Sequence, residues 1–330
     1  MNTSAAEAFF WMNGRLATGV EEISHDPSSL DNDGFWAVQV DYEGRWTLVK
    51  FSEVREQSFP EASWKTVKNA WTSSHTKEEY IDYVAFLKEA IARGDVYQVN
   101  ACRVLSASHD ASLAGLFNHI LAKNPAPYAS FFSVNGREIA SASPELFLSL
   151  RSTPAGIRVV SSPIKGTAKT PKFGEKDQSE NVMIVDLIRN DLSRICVDGT
   201  VDVSRLLGIE EHPGLFHLVS DVTGVLKPTF SWRDFTEAVL PAGSISGAPK
   251  SSALTLISNK EKERGPYCGI LGWIEKRGPS IDGVLSVAIR TFWREGKEMH
   301  FGTGAGITWG SDPAQEWEET ELKARRLMAI

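Results

Sequence analysis

The chain has 330 residues, a formal net charge of −7, a hydrophobic content of 42% and a charged content of 23%. This composition is that of an ordinary globular protein, and a negative charge without any Lys/Arg-rich run argues against a general nucleic-acid binder. No stretch has the length and apolarity of a membrane span or the pattern of a secretory leader, so we expect a cytoplasmic protein without membrane contact.

The three cysteines of the chain are Cys102, Cys196 and Cys268, and no two of them form a C-x-x-C pair. This wide spacing indicates neither a disulfide framework nor a zinc site, which suits a reducing compartment. At its length the chain can bury a large core, as one domain or two.

Residues 1–75 have the pattern of a short β-rich segment that is integrated with the core. Residues 35–40 and 46–51 are β-rich runs separated by turn-forming residues, which predicts a hairpin. Residues 55–75 are polar and predict a connecting segment. We place the remaining residues, 76–330, in a second and larger unit.

The second unit begins with a clear helix. Thr76 and Glu79 have the spacing of a capping box, and apolar residues then recur at helical intervals up to Gly94. After a turn, Gln98 and Asn100 fall on the same face of a predicted strand. Two amides on one face describe either the solvated side of a strand or a polar site.

A carboxylate and a lysine follow in unusual settings. Glu145 comes after Ser143-Pro144 in an extended segment beside Phe147, where apolar surroundings would raise its pKa and let it donate a proton near neutrality. The alternative is an edge-strand glutamate. Lys165 lies between Pro163 and Gly166, so it is presented at a rigid strand end. A desolvated lysine can act as a nucleophile or base, whereas the alternative is a solvated loop lysine.

The polar segment 167–180 predicts a mobile flap, and a helix is expected from about residue 180 to 194. On that helix Asp186, Arg189 and Asn190 share one face, which predicts a buried architectural network. Residues 302–306, with the sequence GTGAG, predict a glycine-rich loop whose backbone N–H groups form an anion nest.

The last helix carries a distinctive acidic face. Asp312 and Pro313 predict its start, and Glu316, Glu319 and Lys323 then line one side. Two carboxylates one turn apart suit a hard divalent cation such as Mg²⁺. The alternative is an exposed acidic face of an ordinary solvated helix.

Together these segments resemble the chorismate-utilising enzymes, clearly so from about residue 76 onward. The matching segments, in chain order, are 94–100 (GDVYQVN), Ser143-Pro144-Glu145, 163–167 (PIKGT), 180–192 (ENVMIVDLIRNDL), 246–250 (SGAPK), Ile289-Arg290, Gly304-Ala305-Gly306 and Asp312-Pro313 with Glu316, Glu319 and Lys323. Eight ordered matches are a specific signal. The resemblance implies an α+β fold of large, mostly antiparallel β-sheets packed face to face with helices outside.

The resemblance also implies a ligand set for chorismate. Mg²⁺ would be held by Glu180 and Glu319, with Glu316 close by, and would grip the ring carboxylate. The backbone of Gly304, Ala305 and Gly306 would help to hold that carboxylate, and Arg290 would pair with the enolpyruvyl carboxylate. Lys323 and Thr167, which belong to the matching segments, are expected to contact the substrate as well.

Within the family, the lysine of the PIKGT segment is similar to aminodeoxychorismate synthase component I, whereas anthranilate synthases carry alanine there. The implied chemistry is nucleophilic attack by Lys165 with Glu145 as general acid. Gln98 stands where hydrolytic relatives have a water-activating lysine, and His217 matches a histidine near the ring that anthranilate synthases use around pyruvate loss.

The family's partner is a glutamine amidotransferase subunit that supplies ammonia. None of the three cysteines lies in the Gly-x-Cys-x-Gly pattern of such a glutaminase, so we expect ammonia from a separate subunit or from free ammonium. The expected product is 4-amino-4-deoxychorismate, for p-aminobenzoate and folate biosynthesis. The alternatives are anthranilate synthase component I and, from another class, a non-catalytic scaffold or regulatory subunit.

Overall fold

The computed structural model describes residues 8–67, 70–212 and 215–328. The strands are β1 Phe9–Met12, β2 Arg15–Ser24, β3 Gly34–Val40, β4 Trp46–Glu56, β5 Thr72–Ser73, β6 Gln98–Ser108, β7 Tyr128–Val134, β8 Arg137–Ser143, β9 Leu146–Thr153, β10 Gly156–Ser162, β11 Ile164–Ala168, β12 Asp202–His212, β13 Leu215–Val225, β14 Gly247–Ala248, β15 Ile270–Arg277, β16 Ser280–Val287, β17 Thr291–Glu295 and β18 Glu298–Ile307. The α-helices are α1 Lys77–Arg93, α2 Ala114–Lys123, α3 Glu175–Ile195, α4 Trp232–Val239, α5 Gly243–Ser246, α6 Lys250–Ser258 and α7 Pro313–Met328.

The strands join into one continuously paired antiparallel sheet. Its main order is β13-β10-β9-β16-β15-β3-β4-β2-β1-β7-β8-β17-β18-β6. Strands β11 and β12 add to β13, and β5 and β14 add to β6. The predicted α+β class with a large antiparallel sheet is therefore confirmed.

Alternation along the strands shows how the sheet folds over itself. In β7, Phe132 enters a core cluster that also contains Trp36 of β3 and Leu271 of β15, while its neighbour Phe131 enters a second cluster. Because successive side chains of a strand point to opposite faces, the first cluster lies between the two halves of the sheet. The second cluster includes Phe117 of α2 and further residues of α7, which cover the outer face.

The N-terminal strands belong to the same sheet as the rest of the chain. β1 pairs with β7, β3 pairs with β15, and β3 and β4 form the predicted hairpin. The division of the chain at residue 75 stays a prediction.

Local capping signals gave the helix ends correctly. The Thr76 side chain accepts from the Glu79 N–H, the Glu79 carboxylate accepts from the Thr76 N–H, and Gly94 ends α1 in the left-handed region. The Asp312 carboxylate likewise accepts from two N–H groups in the first turn of α7. No helix in the described ranges is long and apolar enough to cross a membrane.

Three local predictions were wrong. Helix α3 begins at Glu175, so the end of the proposed flap is helical. Asp186, Arg189 and Asn190 are exposed, and the first two form a surface ion pair, whereas the buried polar residues of α3 are Asn181 and Asp191. Residues 302–306 are not a loop, because they lie within β18 and pair with β6. A Cβ on Gly302, Gly304 or Gly306 would meet a neighbouring atom at 2.0 to 2.6 Å, so these glycines allow close packing. The contact of this backbone with an anion stays a prediction.

We expect Gly302→Ala to destabilise the fold. A Cβ at this position of β18 would lie 2.0 Å from the buried Tyr267 ring. Relief requires a shift of the ring or strand, which should lower the free energy of unfolding by about 1–3 kcal/mol. Urea unfolding measures the change, with Gly310→Ala as control because a Cβ there meets no atom within 4 Å. Equal stability of the two variants would contradict the expectation.

Candidate active site

Lys165 lies where one sheet edge changes direction. β10 and β11 pair with the same edge of β13, and Pro163 interrupts them between Ser162 and Ile164. Gly166 has a φ of +93°, which favours glycine and turns the chain directly after the lysine. The Lys165 side chain is half-buried, and its Nζ donates to the Ser244 carbonyl at 3.0 Å.

The charge of Lys165 is set by opposing influences. Burial lowers the pKa of the Lys165 ammonium, while the Glu145 and Glu180 carboxylates raise it. The effect of burial is larger, so the pKa lies below its ordinary value. Among the residues of α7, Lys323 lowers this pKa and Glu319 raises it. A larger fraction of Lys165 is therefore a free amine than for an exposed lysine.

Glu145 occupies the break between β8 and β9 and is buried. Burial raises the pKa of its carboxyl to about 7, against the Ser244 hydrogen bond and the Lys165 and Arg290 charges, which lower it. The Ser244 Oγ donates to Glu145 Oε1 at 2.5 Å. A carboxyl with this pKa holds its proton near neutrality and can give it to a leaving group.

Ser244 joins the lysine and the carboxyl, and sequence reasoning gave it no role. Its carbonyl accepts from Lys165 Nζ and, at 2.9 Å, from Asn100 Nδ2, while its hydroxyl binds Glu145. The signal available in the sequence was the small-residue segment 241–250, PAGSISGAPK, whose composition is typical of a loop.

We expect Ser244→Ala to lower kcat by about tenfold, which corresponds to about 1.4 kcal/mol, near the upper end for one hydrogen bond between neutral groups. Because the Ser244 bond lowers the pKa of Glu145, its loss should raise that pKa and move the Glu145 limb of the pH–rate profile to higher pH. Ser246→Ala is the matched control, since Ser246 Oγ donates to the Ala242 carbonyl within the same helix. Identical pH profiles for all three proteins would rule out the Ser244 role.

Thr167 and His217 face each other across β11 and β13. They are direct cross-strand partners, and the Thr167 hydroxyl lies 2.9 Å from His217 Nδ1. His217 is buried, whereas Thr167 is exposed to the cleft side. The hydrogen bond fixes the orientation of the His217 imidazole against Thr167, which lies two residues after Lys165.

Gln98 and the Gly304–Gly306 run form one polar wall. Gln98 is fully buried, and within the described part of the chain neither atom of its side-chain amide has a hydrogen-bond partner. A Cβ on Gly306 would lie 2.6 Å from Gln98 Nε2, so this glycine leaves the room that the amide occupies. The Gly304 carbonyl accepts from Lys323 Nζ at 2.9 Å. Ala305 lies between Gly304 and Gly306 in β18. Buried amides without partners are rare and point to a ligand.

Three carboxylates approach the cleft from two helices. Glu180 on α3 lies 3.9 Å from Lys176, and Glu319 on α7 lies 2.6 Å from Lys323. Burial raises the pKa of Glu180 and of Glu316, and Glu316 adds to the rise at Glu180. For Glu319, burial alone would raise the pKa, but Lys323, Lys176 and Lys165 together lower it.

This acidic group has the donor chemistry that Mg²⁺ requires. Glu316 raises the pKa of Glu180 and Glu319 raises that of Glu316, and carboxylate oxygens are hard donors of the kind that Mg²⁺ binds. Glu180 and Glu319 are paired with Lys176 and Lys323, and no group of three or more His, Cys, Asp or Glu side chains within the described ranges is already arranged as a metal site. The magnesium site therefore stays a prediction.

Arg290 follows β16 and precedes β17, and its φ of +53° places it in the left-handed region. Its positive charge lowers the pKa of Glu145, which locates it on the same side of the site. The pairing of Arg290 with the enolpyruvyl carboxylate, which the family resemblance implies, stays a prediction.

Two cavities lie near these residues. A cavity of about 20 Å³ adjoins Glu145, Ser244 and Asp191, which is room for one water. A much larger one, about 1040 Å³, is lined by residues that include Arg137, Arg264 and His300. Thr167 and Lys323 themselves are exposed.

Comparison with known proteins gives a consistent result. Residues 35–329 match the family model described as chorismate binding enzyme. The chain is 35% identical over 272 residues to anthranilate synthase component 1 of Aquifex aeolicus, covering 78% of this chain and 54% of that protein. It is 31% identical over 317 residues to aminodeoxychorismate synthase component 1 of Klebsiella aerogenes, covering 89% and 68%.

The solved structures agree on the fold. A putative 2,3-dihydroxybenzoate-specific isochorismate synthase, DhbC from Bacillus anthracis, has a TM-score of 0.80 at 22% identity and covers 98% of this chain and 95% of its own. Anthranilate synthase component I from Streptococcus pneumoniae has a TM-score of 0.77 at 22% identity, with 99% and 93% covered. The chain spans about half the length of the anthranilate synthase relatives that it matches in sequence.

Proposed function

The chain belongs to the family of chorismate binding enzymes, and we propose that within it the chain is an aminodeoxychorismate synthase component I. It would convert chorismate and ammonia to 4-amino-4-deoxychorismate. The observation that supports this most directly is the pair formed by Lys165, with a lowered pKa, and Glu145, with a pKa of about 7, on either side of Ser244. A nucleophile and an acid held together suit covalent catalysis.

The first displacement forms a C–N bond between Lys165 Nζ and ring C2. The ring double bonds shift toward C4, the C4–O bond breaks, and Glu145 gives its proton to the departing hydroxyl, which leaves as water. The carboxylate then takes up the proton that the attacking nitrogen must lose. Both groups work in the protonation states that their burial favours, a free amine and a neutral acid.

The second displacement brings in the nitrogen. Ammonia forms a bond to C4, the double bonds shift back, and the C2–N bond to Lys165 breaks as Glu145 gives its proton to the departing nitrogen. The Glu145 carboxylate then takes up the proton that the new C4 nitrogen must lose, so the lysine and the neutral acid are both regenerated. Two displacements give the nitrogen the stereochemistry of the original hydroxyl. Ammonia would come from a separate glutamine amidotransferase subunit or from free ammonium.

Both carboxylates of chorismate have candidate partners in the cleft. Arg290, beside Glu145, would take the enolpyruvyl carboxylate, while Lys323 and the backbone of Gly304, Ala305 and Gly306 would help to bind the ring carboxylate. Gln98 and Thr167 would complete the polar lining, and His217 would hold the Thr167 hydroxyl in place. Glu180, Glu319 and Glu316 would hold Mg²⁺, which when bound would neutralise the ring carboxylate. A cytoplasmic enzyme of p-aminobenzoate and folate biosynthesis follows from this assignment.

Anthranilate synthase component I is the second candidate. It is favoured by relatives of that name at 34–36% identity, against 31% for the aminodeoxychorismate synthases. It would place nitrogen at C2 and release pyruvate, and a lysine that itself attacks C2 would stand in the way of that nitrogen.

The experiment is to identify the product from chorismate, Mg²⁺ and ¹⁵N-ammonium by chromatography and mass spectrometry. We expect labelled 4-amino-4-deoxychorismate without pyruvate. Labelled anthranilate with one equivalent of pyruvate would replace the proposal with the second candidate. No turnover, even with an added glutaminase subunit, would favour a scaffold.

A further inference from the structure

Arg264 is a fully buried arginine that touches none of the proposed catalytic groups. It is 1% exposed, and its partner Glu261 is 4% exposed. The pair is bidentate, with Arg264 Nε donating to Glu261 Oε2 at 2.7 Å and Nη2 donating to Oε1 at 2.9 Å. A buried ion pair is weak evidence for stability, because desolvation of both charges offsets their attraction. Its position calls for another explanation.

The remaining donors of Arg264 lead to the catalytic pair. Nη1 donates to the Ile245 carbonyl at 3.0 Å, and Nη2 donates to the Asn100 carbonyl at 2.8 Å. The Asn100 side chain in turn binds the Ser244 carbonyl, which also accepts from Lys165. Arg264 therefore holds the residue after Ser244 and the strand residue that contacts Ser244.

The arginine is itself fixed from several directions. Glu261 Oε1 accepts from the Cys102 N–H of β6 and from the Tyr83 hydroxyl of α1, both at 2.8 Å. The guanidinium lies 4.3 Å from the centre of the Tyr42 ring. By contrast α5, which carries Ser244, has only four residues and cannot define its own position. The Arg264–Glu261 ion pair is therefore the fixed element, and the position of α5 depends on its contact with that pair.

We propose that Arg264, oriented by Glu261, is a positioning residue that sets the location of Ser244 and through it the alignment of Lys165 with Glu145. The inference rests on the proposed function for its catalytic consequence. A planar guanidinium is needed, because it serves two carboxylate oxygens and two carbonyls at once from one rigid fork.

The test compares Arg264→Lys with the wild type. The lysine keeps the charge, so Glu261 is not left unpaired, but an ammonium cannot reach all four acceptors. We expect kcat to fall by about 10–100-fold, as for a small misplacement of reacting groups, while KM for chorismate changes less than about threefold. Asn100→Ala, which removes only the Asn100–Ser244 contact, should act in the same direction more weakly and serves if Arg264→Lys does not fold.

The matched control is Arg294→Lys. Arg294 on β17 donates from Nε to the buried Glu138 at 3.1 Å and from Nη1 to the Gly296 carbonyl at 2.8 Å, and the Arg294 and Glu138 side chains are 15% and 5% exposed. Within the described residues these bonds do not involve α5, and Arg294→Lys also breaks an arginine–carboxylate contact. The kcat of Arg294→Lys should stay within about twofold of the wild type, because sites that share no contacts are not energetically coupled.

A second readout follows Lys165 without turnover. Competitive acetylation followed by mass spectrometry measures the reactivity of Lys165 as a function of pH. The charges that also act on the pKa of Lys165 are Glu145, Glu180, Glu319 and Lys323, and they are the same in all the proteins compared. The Ser244 carbonyl accepts a hydrogen bond from Lys165 and thereby stabilises the ammonium form. If Arg264→Lys displaces this carbonyl, the pKa of Lys165 and the pH midpoint of its labelling should fall, and they should not change in Arg294→Lys.

The outcomes separate the two proposals. A lower kcat with altered Lys165 labelling in Arg264→Lys alone supports the positioning role. Reduced stability with unchanged kcat and labelling overturns it, because the arginine is then merely structural. If the wild type forms anthranilate, the proposed function fails, and labelling of Lys165 still decides the role of Arg264.

Discussion

Replacement of Lys165 by alanine should reduce formation of 4-amino-4-deoxychorismate by at least about 10³-fold in kcat, because it removes the group that forms the covalent intermediate. Within the described residues the Lys165 ammonium donates to a backbone carbonyl, and burial disfavours its charge, so this side chain adds little to the stability of the fold. Its loss should therefore leave the melting temperature nearly unchanged. Steady-state kinetics with product analysis and a thermal melt measure both effects.

The matched control is Lys169→Ala, which removes an exposed lysine four residues away and should retain wild-type kcat. A direct test uses wild-type enzyme, chorismate and no ammonia. Mass spectrometry after rapid denaturation should then find a Lys165 peptide heavier by chorismate minus water. Persistence of the adduct in Lys165→Ala, or full activity of that variant, would show that another residue is the nucleophile.

Replacement of Glu145 by glutamine should lower activity and raise stability at the same time. Glutamine keeps an acceptor for the Ser244 hydroxyl but has no proton to give, so kcat should fall by about 10²–10⁴-fold. The stability effect has a definite sign. In the folded protein the pKa of Glu145 is about 7, above the 4.5 of the free side chain, so its ionisation is less favourable in the folded than in the unfolded state.

The consequence is a pH-dependent difference between the two proteins. Below pH 4.5 both states of the wild type hold the proton, and the variants should be equally stable. As the pH rises through about 7 the wild type loses stability, and Glu145→Gln should become more stable by about 3 kcal/mol, a shift of two to three pKa units. Urea unfolding at pH 4.5 and pH 8.5 measures this.

Glu138→Gln is a control for which the opposite change in stability is expected. Glu138 is also buried, but it accepts from Arg294 and from the Leu113 N–H, so its loss leaves a cation without its counter-charge. That variant should be destabilised at pH 8.5. If Glu145→Gln were destabilised as well, Glu145 would be a structural ion-pair member and not a carboxyl held in its neutral form.

Short-range signals in the amino-acid sequence account for the helix ends, the turn after Lys165 and the family. The ends of α1 and α7 follow from capping side chains within three residues of the groups they bind, and the turn after Lys165 follows from Pro163 and Gly166. The alternation of apolar residues gave the β class, and the motifs gave the family. Each of these signals is complete within a short stretch of chain.

Tertiary structure alone decided the connections among these parts. Ser244 meets Glu145 across 99 positions and Asn100 across 144, and Arg264 meets Asn100 across 164, distances over which periodicity carries no information. The glycines of 302–306 predicted a loop, yet pairing with β6 made them a strand. Asp186 and Arg189 share a helical face, but which face of α3 is buried depends on the sheet beneath it. Burial and long-range contact, which set the pKa values of Lys165 and Glu145, exist only after the chain has folded.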